Sequence, residues 1–169
     1  NVSREIKQNV QGRTLHINPD LEKEIEENRL VELVGFCLMP NHFHLLILEK
    51  TEGGISKYMQ KVLTAYTMYF NVRHEKSGHL FQGSYKSVLM ENDRQLMHLS
   101  AYMHKNCCEI KGWKGKEDEY YWSSYQDYVV RNRWGKLLSQ SIILDRYSEE
   151  KASGSYRNFV ETSPAKETL

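Results

Sequence analysis

Two apolar runs meet at a proline in the stretch LVGFCLMPNHFHLLIL, residues 33–48. Residues 33–38 and 42–48 are each predicted to form a β-strand, because both runs are short, apolar and bounded by turn-forming residues. Pro40 has no amide proton to donate to a strand ladder, so the chain is expected to turn there. Because a short connector suits a hairpin, the two strands are predicted to be antiparallel neighbours.

His42 and His44 lie two residues apart on the second predicted strand. Side chains with this spacing point to the same side of a strand, whereas Phe43 points to the opposite, apolar side. Two imidazoles on a rigid strand form half of a divalent-metal site. A pair of hydrogen-bonded histidines is the simpler interpretation, and the spacing alone leaves both open.

Helical signals flank the hairpin on both sides. Asn18, Pro19 and Asp20 supply an N-cap, a first-turn proline and a first-turn acid, which predict a helix to about residue 30. Apolar residues recur at helical spacing over residues 55–73 and predict a second helix with one apolar face. The members of that face are Ile55, Met59, Val62, Tyr66, Tyr69 and Phe70.

A third helix is predicted to open at Asn92, which together with Gln95 resembles a capping box, and to run to about Asn106. Tyr102 and Asn106 are four residues apart and so share one helix face. A phenol can attack a phosphate, and an amide oxygen is a hard ligand for a metal ion. The helix alone favours a simpler interpretation, in which Tyr102 is a half-buried aromatic residue and Asn106 is a C-terminal cap.

The remaining segments give weaker signals. Residues 10–17 are read as a short strand or a loop, residues 85–90 as a strand and residues 122–130 as a short helix. Residues 137–147 give no clear pattern, and the polar tail from residue 149 is expected to be frayed. The order of elements predicts a mixed α+β fold with helices on one face of the sheet.

Length and composition exclude several classes of protein. A chain of 169 residues suits one compact domain, and no apolar run approaches the roughly 20 residues that a membrane span needs. Cys107 and Cys108 are adjacent in a chain with three cysteines, which argues against a disulfide framework and is typical of a reducing cytoplasm.

Positive charge is concentrated in the middle of the chain. The formal net charge of the whole chain is +1, but residues 57–116 contain 10 lysines and arginines against 4 acids. Basic side chains interleaved with aromatic ones are the expected footprint of a nucleic-acid surface. A solvated, lysine-rich helix face is the alternative.

Five motifs, in order, resemble those of one family: MPNHFHLLI (39–47), AYTMYFN (65–71), GHLFQGSYKS (78–87), YMHKN (102–106) and WSSY (122–125). The first resembles the histidine–hydrophobic–histidine (HUH) motif of the single-tyrosine transposases, and the others resemble the REP-associated branch. The resemblance implies a ferredoxin-like HUH endonuclease domain over residues 1–130, with an antiparallel central sheet and helices packed on it. Residues 131–169 would form a partly irregular C-terminal extension.

The resemblance also implies an activity and its residues. His42 and His44 match the family's paired ligands for Mg²⁺ or Mn²⁺, Asn106 its third ligand and Tyr102 its nucleophile. The implied enzyme nicks and rejoins single-stranded DNA at hairpins or repeats through a 5′-phosphotyrosine. It would act in the prokaryotic cytoplasm at the nucleoid, as a monomer or as a homodimer, with no membrane partner.

The chain departs from the family's pattern at several positions. Residues 1–17 contain no convincing equivalent of the strand that usually precedes the first helix. Ser84 replaces a common arginine, Cys107 a common proline and Ala101 a frequent basic residue. These changes bear on DNA affinity more than on chemistry, because the four catalytic positions are filled.

Composition suggests which side chains contact DNA. Phe81, Tyr85 or Trp113 are candidates for base stacking. Basic side chains of the middle segment are candidates for phosphate contacts, namely Lys57, Lys61, Arg73, Lys76, Lys86 and Lys105.

Three other functions fit parts of the pattern. One is a domesticated protein that binds DNA hairpins without turnover. Another is a related HUH replication initiator or relaxase, which the stretch at residues 78–83 disfavours. The third is a zinc hydrolase that uses the two histidines, but the sequence offers no third histidine or carboxylate at a recognisable spacing.

Overall fold

The computed structural model describes residues 19–147 and 152–164. Its helices and strands are α1 (Pro19–Asn28), β1 (Val31–Leu38), β2 (Phe43–Glu49), α2 (Gly54–His74), α3 (Asp93–Lys105), α4 (Tyr125–Val129), α5 (Ser141–Leu144) and α6 (Ala152–Thr162). Short 3-10 helices occupy Asn106–Glu109, Glu117–Glu119 and Gly135–Leu137. The α+β class predicted from the sequence is confirmed, while the ferredoxin-like arrangement stays a prediction.

The predicted hairpin is confirmed. β1 and β2 pair in antiparallel register, with Cys37 opposite His44 and Phe36 opposite Leu45. An irregularity between Leu33 and Gly35 shifts the register within β1. Within the described residues these two strands make up the whole sheet.

The strand predicted at residues 85–90 is absent: this described segment is coil. Its alternating pattern is that of a strand, but no strand among the described residues lies beside it to complete a ladder. Val88 and Leu89 are accordingly exposed, and the Tyr85 hydroxyl lies 3.3 Å from the hydroxyl of Ser56 on α2. The strand or loop read at residues 10–17, and the Asn18 cap, lie outside the described residues.

The helices flank the hairpin on two faces, whereas the element order predicted one. Phe43 points toward α2, since its ring contacts that of Phe81, which in turn contacts Tyr66. His44 points the other way and contacts Tyr102 on α3. Strand alternation therefore separates a face carrying α2 from a face carrying α3.

Helix α2 forms as predicted, but its apolar stripe is not a buried face. Met59 is buried, whereas Val62, Tyr66 and Tyr69 are exposed, Tyr66 by 51% and Tyr69 by 59%. Periodicity identified the helix correctly but could not tell which of its faces is covered. The outer part of the stripe is an exposed aromatic surface.

The capping box of α3 is confirmed with a shift of one residue. The Asn92 side chain accepts a hydrogen bond from the Gln95 amide at 2.9 Å, and the Gln95 side chain accepts from the Glu91 amide at 2.9 Å. These two bonds satisfy donors around the first turn and fix where α3 begins.

A glycine allows α3 to approach the hairpin closely. A β-carbon added to Gly35 would lie 2.5 Å from Met103 Cε and 3.3 Å from Ser124 Oγ. A larger residue would therefore force the Met103 side chain to move and would crowd Ser124.

The C-terminal part of the chain completes the core. Helix α6 occupies much of the tail that was expected to be frayed, and its Tyr156 and Val160 are buried. Arg133 forms two hydrogen bonds with the Asp127 carboxylate, at 2.8 and 2.7 Å, which fixes the loop after α4. In the part of the chain that the structure describes, no helix is long and apolar enough to cross a bilayer.

Candidate active site

His42 lies at the entrance to β2, with its side chain exposed to solvent. Its Nδ1 is 2.7 Å from the side-chain oxygen of Asn41. Because that oxygen can only accept, Nδ1 donates the proton, which leaves the lone pair of Nε2 for another partner. The His42 and His44 rings are 5.0 Å apart, so both imidazoles occupy one small region as the spacing predicted.

His44 has a buried ring nitrogen with no partner among the residues that the structure describes. No hydrogen bond to its Nε2 is found among the described residues. Desolvation by burial lowers the pKa of His44, repulsion between the protonated forms of His44 and His42 lowers it further, and Glu109 opposes them. The ring is therefore neutral at neutral pH. Buried polar atoms are almost always paired in folded proteins, so this nitrogen marks a position for a ligand.

Tyr102 faces His44. Ala101, Met103 and His104 are buried in the core, and Tyr102 is the half-buried residue on the flank toward β2. Its ring centre lies 6.0 Å from that of His44, at an interplanar angle of 84°. A phenol and a neutral imidazole are thus brought together from two elements that are far apart in sequence.

Asn106 is buried at the end of α3. Its side-chain nitrogen donates to the Tyr102 carbonyl oxygen at 2.9 Å, which is the capping role of the simpler interpretation. The same bond fixes the amide and leaves its oxygen as an acceptor or ligand. Structural cap and metal ligand are therefore compatible roles for this residue.

The candidate ligands for a divalent ion are the side chains of His42, His44 and Asn106. No group of three or more His, Cys, Asp or Glu side chains that could hold an ion occurs within residues 19–147 and 152–164. A site at His42 and His44 therefore needs a ligand of another kind, and the Asn106 amide oxygen is of the right chemical type. Two imidazoles and an amide oxygen would combine the nitrogen ligands typical of transition-metal ions with the oxygen ligand that Mg²⁺ and Mn²⁺ prefer.

Cysteines pack the end of α3 against the hairpin. The thiol of Cys107, which follows Asn106, contacts the thiol of Cys37, which pairs with His44 across the ladder. That contact and burial raise the pKa of Cys107, so it stays protonated at neutral pH. All three cysteines are free thiols, as the absence of a disulfide framework required.

Aromatic rings extend from β2 along α2 on the other face of the hairpin. Neighbouring ring centres are 6.1, 6.2, 6.4 and 4.3 Å apart along the series Phe43, Phe81, Tyr66, Phe70 and His74, here called the aromatic chain. Lys76 Nζ lies 5.8 Å from the Phe70 ring. Sequence reasoning selected Phe81 and Lys76 but treated Tyr66 and Phe70 as core and left out His74. Only the fold joins them.

The other predicted DNA contacts divide into two groups. Lys57, Lys61, Arg73, Tyr85 and Lys86 are exposed. Lys105 instead donates to the carbonyl oxygens of Ser163 and Glu161, at 2.5 and 3.3 Å, and so caps the end of α6. Trp113 packs against the Tyr120 ring, 5.0 Å away.

Comparison with known proteins gives one match. A family model described as "Transposase IS200 like" matches residues 6–106, which include the hairpin, α2 and α3. The match ends at Asn106, so it spans all four residues that the sequence singled out for chemistry. No curated protein and no solved structure matches the chain.

Proposed function

The chain belongs to the IS200-like transposase family, and from that premise we propose that it is a metal-dependent endonuclease and strand transferase acting on single-stranded DNA. Family membership already implies a DNA-cleaving enzyme of transposition. The finer proposal is that Tyr102 attacks the phosphate and carries the cut strand as a 5′-phosphotyrosine.

The contact between His44 and Tyr102 carries this proposal. The Tyr102 phenol lies against an imidazole whose buried Nε2 has no partner within residues 19–147 and 152–164, with the two ring centres 6.0 Å apart. Ring contacts between tyrosine and histidine also occur in ordinary cores. This one involves a half-buried tyrosine at the flank of the fold, which suits access by a polymer substrate.

His42, His44 and Asn106 would hold the divalent ion. When bound, Mg²⁺ or Mn²⁺ supplies Lewis-acid polarisation of the phosphate and stabilises negative charge on the oxygens. The neutral state of His44 keeps a lone pair ready for this role. The bond from Asn106 to the Tyr102 carbonyl oxygen couples the third ligand to the nucleophile.

The proposed reaction exchanges one phosphodiester for another. The Tyr102 phenolic oxygen forms a bond to phosphorus and loses its proton to solvent. The bond from phosphorus to the 3′ oxygen breaks, and that oxygen takes up a proton from solvent to leave as a 3′-hydroxyl. Because bonds of the same kind are made and broken, a second 3′-hydroxyl can reverse the step and join a new strand. No nucleotide cofactor is needed.

The aromatic chain and the exposed cations support single-stranded DNA as the substrate. Unpaired bases can stack on aromatic rings, whereas paired bases are shielded within a duplex. Lys57, Lys61, Arg73 and Lys86 are exposed and available to phosphates. The same proposal places the enzyme at the prokaryotic nucleoid in the cytoplasm, with hairpin-bearing repeats as its target and a monomer or a homodimer as the acting species.

Incubation with a labelled single-stranded hairpin and Mn²⁺, followed by denaturing electrophoresis, tests the function. We expect a covalent protein–DNA band that requires the metal and is absent from Tyr102→Phe. Tyr121→Phe, which also loses one hydroxyl but on a ring that packs against Trp122, is the matched control and should keep the band. DNA binding without a covalent band in the unsubstituted protein would favour a silent hairpin-binding protein instead.

A further inference from the structure

His104 lies on α3 two residues beyond Tyr102 and is completely enclosed by protein. Both ring nitrogens are engaged: Nδ1 lies 2.8 Å from the Tyr156 hydroxyl, and Nε2 lies 2.8 Å from Ser124 Oγ. Successive residues of an α-helix are about 100° apart, so His104 projects nearly opposite to Tyr102 around the helix axis. Fixed contacts at His104 therefore resist rotation of α3 about its axis, and so hold the face that carries Tyr102 in place.

Ser124 connects this ring to the hairpin. Its hydroxyl oxygen accepts a hydrogen bond from the Phe36 amide at 2.8 Å and lies 3.1 Å from the Phe36 carbonyl oxygen. Phe36 pairs with Leu45, the residue directly after His44. One serine side chain thus bonds to the strand that supports His44 and to the helix that carries Tyr102.

Tyr156 supplies a second anchor from α6. Its hydroxyl lies 3.0 Å from Ser100 Oγ, which donates to the Met97 carbonyl oxygen at 2.7 Å. A neutral imidazole has one N–H and one lone pair, so one nitrogen of His104 donates and the other accepts. The contacts to Ser124 and Tyr156 therefore form one connected network across β1, α3 and α6.

We propose that Ser124, His104 and Tyr156 are positioning residues, which fix the rotation of α3 relative to the hairpin and so hold Tyr102 against His44. In its consequence for catalysis this inference rests on the proposed function. None of the three contacts the reacting atoms. Their effect is to keep two reactive groups, contributed by separate elements, in a single relative placement.

The test compares two buried tyrosines. Tyr156→Phe removes a hydroxyl from the network. Tyr128→Phe is the matched control, because the Tyr128 hydroxyl donates to the Val34 carbonyl oxygen at 2.5 Å and its ring also contacts His104. Ser124→Ala removes the link to the hairpin. If the two tyrosine variants lose the same stability, any difference between them in the His44 resonances or in the rate reports positioning rather than general packing.

The first measurement does not depend on activity. The NMR resonances of the His44 ring protons sense the ring current of Tyr102, since the two rings are in contact. In Ser124→Ala and Tyr156→Phe these resonances should move toward their positions in Tyr102→Leu, and in Tyr128→Phe they should stay at the wild-type positions. Unchanged His44 resonances in the folded Ser124→Ala and Tyr156→Phe proteins would overturn the inference.

The second measurement is the single-turnover rate of covalent adduct formation with a labelled hairpin. Ser124→Ala and Tyr156→Phe should lower this rate about ten- to a hundredfold while leaving the Kd for DNA unchanged, because misplacement of a nucleophile affects the chemical step. His104→Gln, which puts its amide near the place of Nε2, should restore more activity than His104→Leu. Wild-type rates in both network variants would contradict the inference, whereas failure of the wild-type protein itself to form an adduct would contradict the proposed function and leave the NMR result to decide.

Discussion

His44 links the fold to the chemistry at the scale of single residues. It lies on the edge between core and solvent, and its Nε2 is buried without a partner among the described residues. A polar atom in that position costs stability unless something binds it. Binding of a divalent ion at His44, as proposed above, would offset that cost.

His44→Ala is expected to lower metal-dependent cleavage by roughly a hundredfold or more, since a bound ion contributes several kcal/mol to such a step. The protein should remain folded, because the removed ring is only half-buried. Cleavage rate against Mn²⁺ concentration is the measurement. His98→Ala, which changes a half-buried histidine that packs on Phe159, serves as control. A His44→Ala protein with the wild-type rate and Mn²⁺ dependence would exclude this residue as a ligand.

His104 predicts a pH dependence of stability. Desolvation lowers its pKa from 6.5 to about 3 in the folded protein, where its ring is enclosed by Tyr125, Tyr128 and Tyr156. Below pH 6.5 the unfolded chain binds a proton that the folded protein does not. The free energy of unfolding should thus fall as the pH drops from 6.5 toward about 3, by at most about 1.4 kcal/mol per pH unit from this residue.

Urea unfolding of the wild-type protein and His104→Gln across that window checks this expectation. Other groups titrate in both proteins, so the difference between the two curves isolates the histidine. The curve of His104→Gln should be flatter. Parallel curves would mean that the wild-type ring is protonated without cost in the folded state.

Residue spacing could bring some candidate site residues to attention and not others. His42 with His44, and Tyr102 with Asn106, are local pairs that a strand or a helix places on one side, so sequence could identify them. Ser124 and Tyr156 lie 20 and 52 positions away from His104. Their contacts depend on tertiary packing, for which the sequence carries no periodic signal.

At the scale of elements, α2 shows that helical spacing of apolar residues and burial of the face they form are separate properties. Its apolar spacing correctly predicted a helix, but the aromatic part of the apolar stripe is exposed to solvent rather than buried in the core. The rings instead continue a series that begins at Phe43 on β2. An exposed aromatic surface next to lysines is better explained by an interaction with bases than by packing.

Phe81→Ala and Tyr66→Ala are expected to weaken binding of single-stranded DNA by about 1–3 kcal/mol for each base that loses its stacking partner. Fluorescence anisotropy with a labelled oligonucleotide measures the Kd. Val72→Ala, on the same helix and 82% exposed but outside the aromatic chain, is the control and should bind normally. If all three variants bind alike, the aromatic chain has no role in holding DNA.

The segment at residues 85–90 shows where an alternating pattern misled the prediction. Alternation describes a strand with one covered face, yet a strand also requires a neighbour to accept and donate its backbone bonds. The described residues provide no such neighbour, and the segment is coil. Pairing is a property of two segments, so one segment's pattern could not decide it.

At the scale of the whole molecule, the family match ends before the fold does. The match stops at residue 106, while Tyr125, Tyr128, Tyr156 and Val160 belong to the same buried cluster as β1 and α3. The polar composition of the tail from residue 149 predicted a frayed end. The few large side chains of this tail are enough to hold α6 against the core, because each buries substantial apolar area.

Truncation after residue 147 should therefore destabilise the whole protein. It removes Tyr156 and Val160 from the core and leaves the Lys105 ammonium group without its carbonyl partners. Burial of one large apolar side chain contributes about 1.5–3 kcal/mol, so the loss should amount to several kcal/mol. Thermal unfolding measures it. A truncated protein with the Tm of the full chain would show that α6 is an independent appendage.

The most direct test of the central claim is to identify the residue that becomes bonded to DNA. After reaction with a hairpin oligonucleotide and Mn²⁺, nuclease and trypsin digestion should leave a short nucleotide on the peptide QLMHLSAYMHK, residues 95–105, whose single tyrosine is Tyr102. Mass spectrometry of this peptide should show the nucleotide mass on Tyr102. Recovery of the nucleotide on any other peptide would contradict the assignment of Tyr102 as the nucleophile.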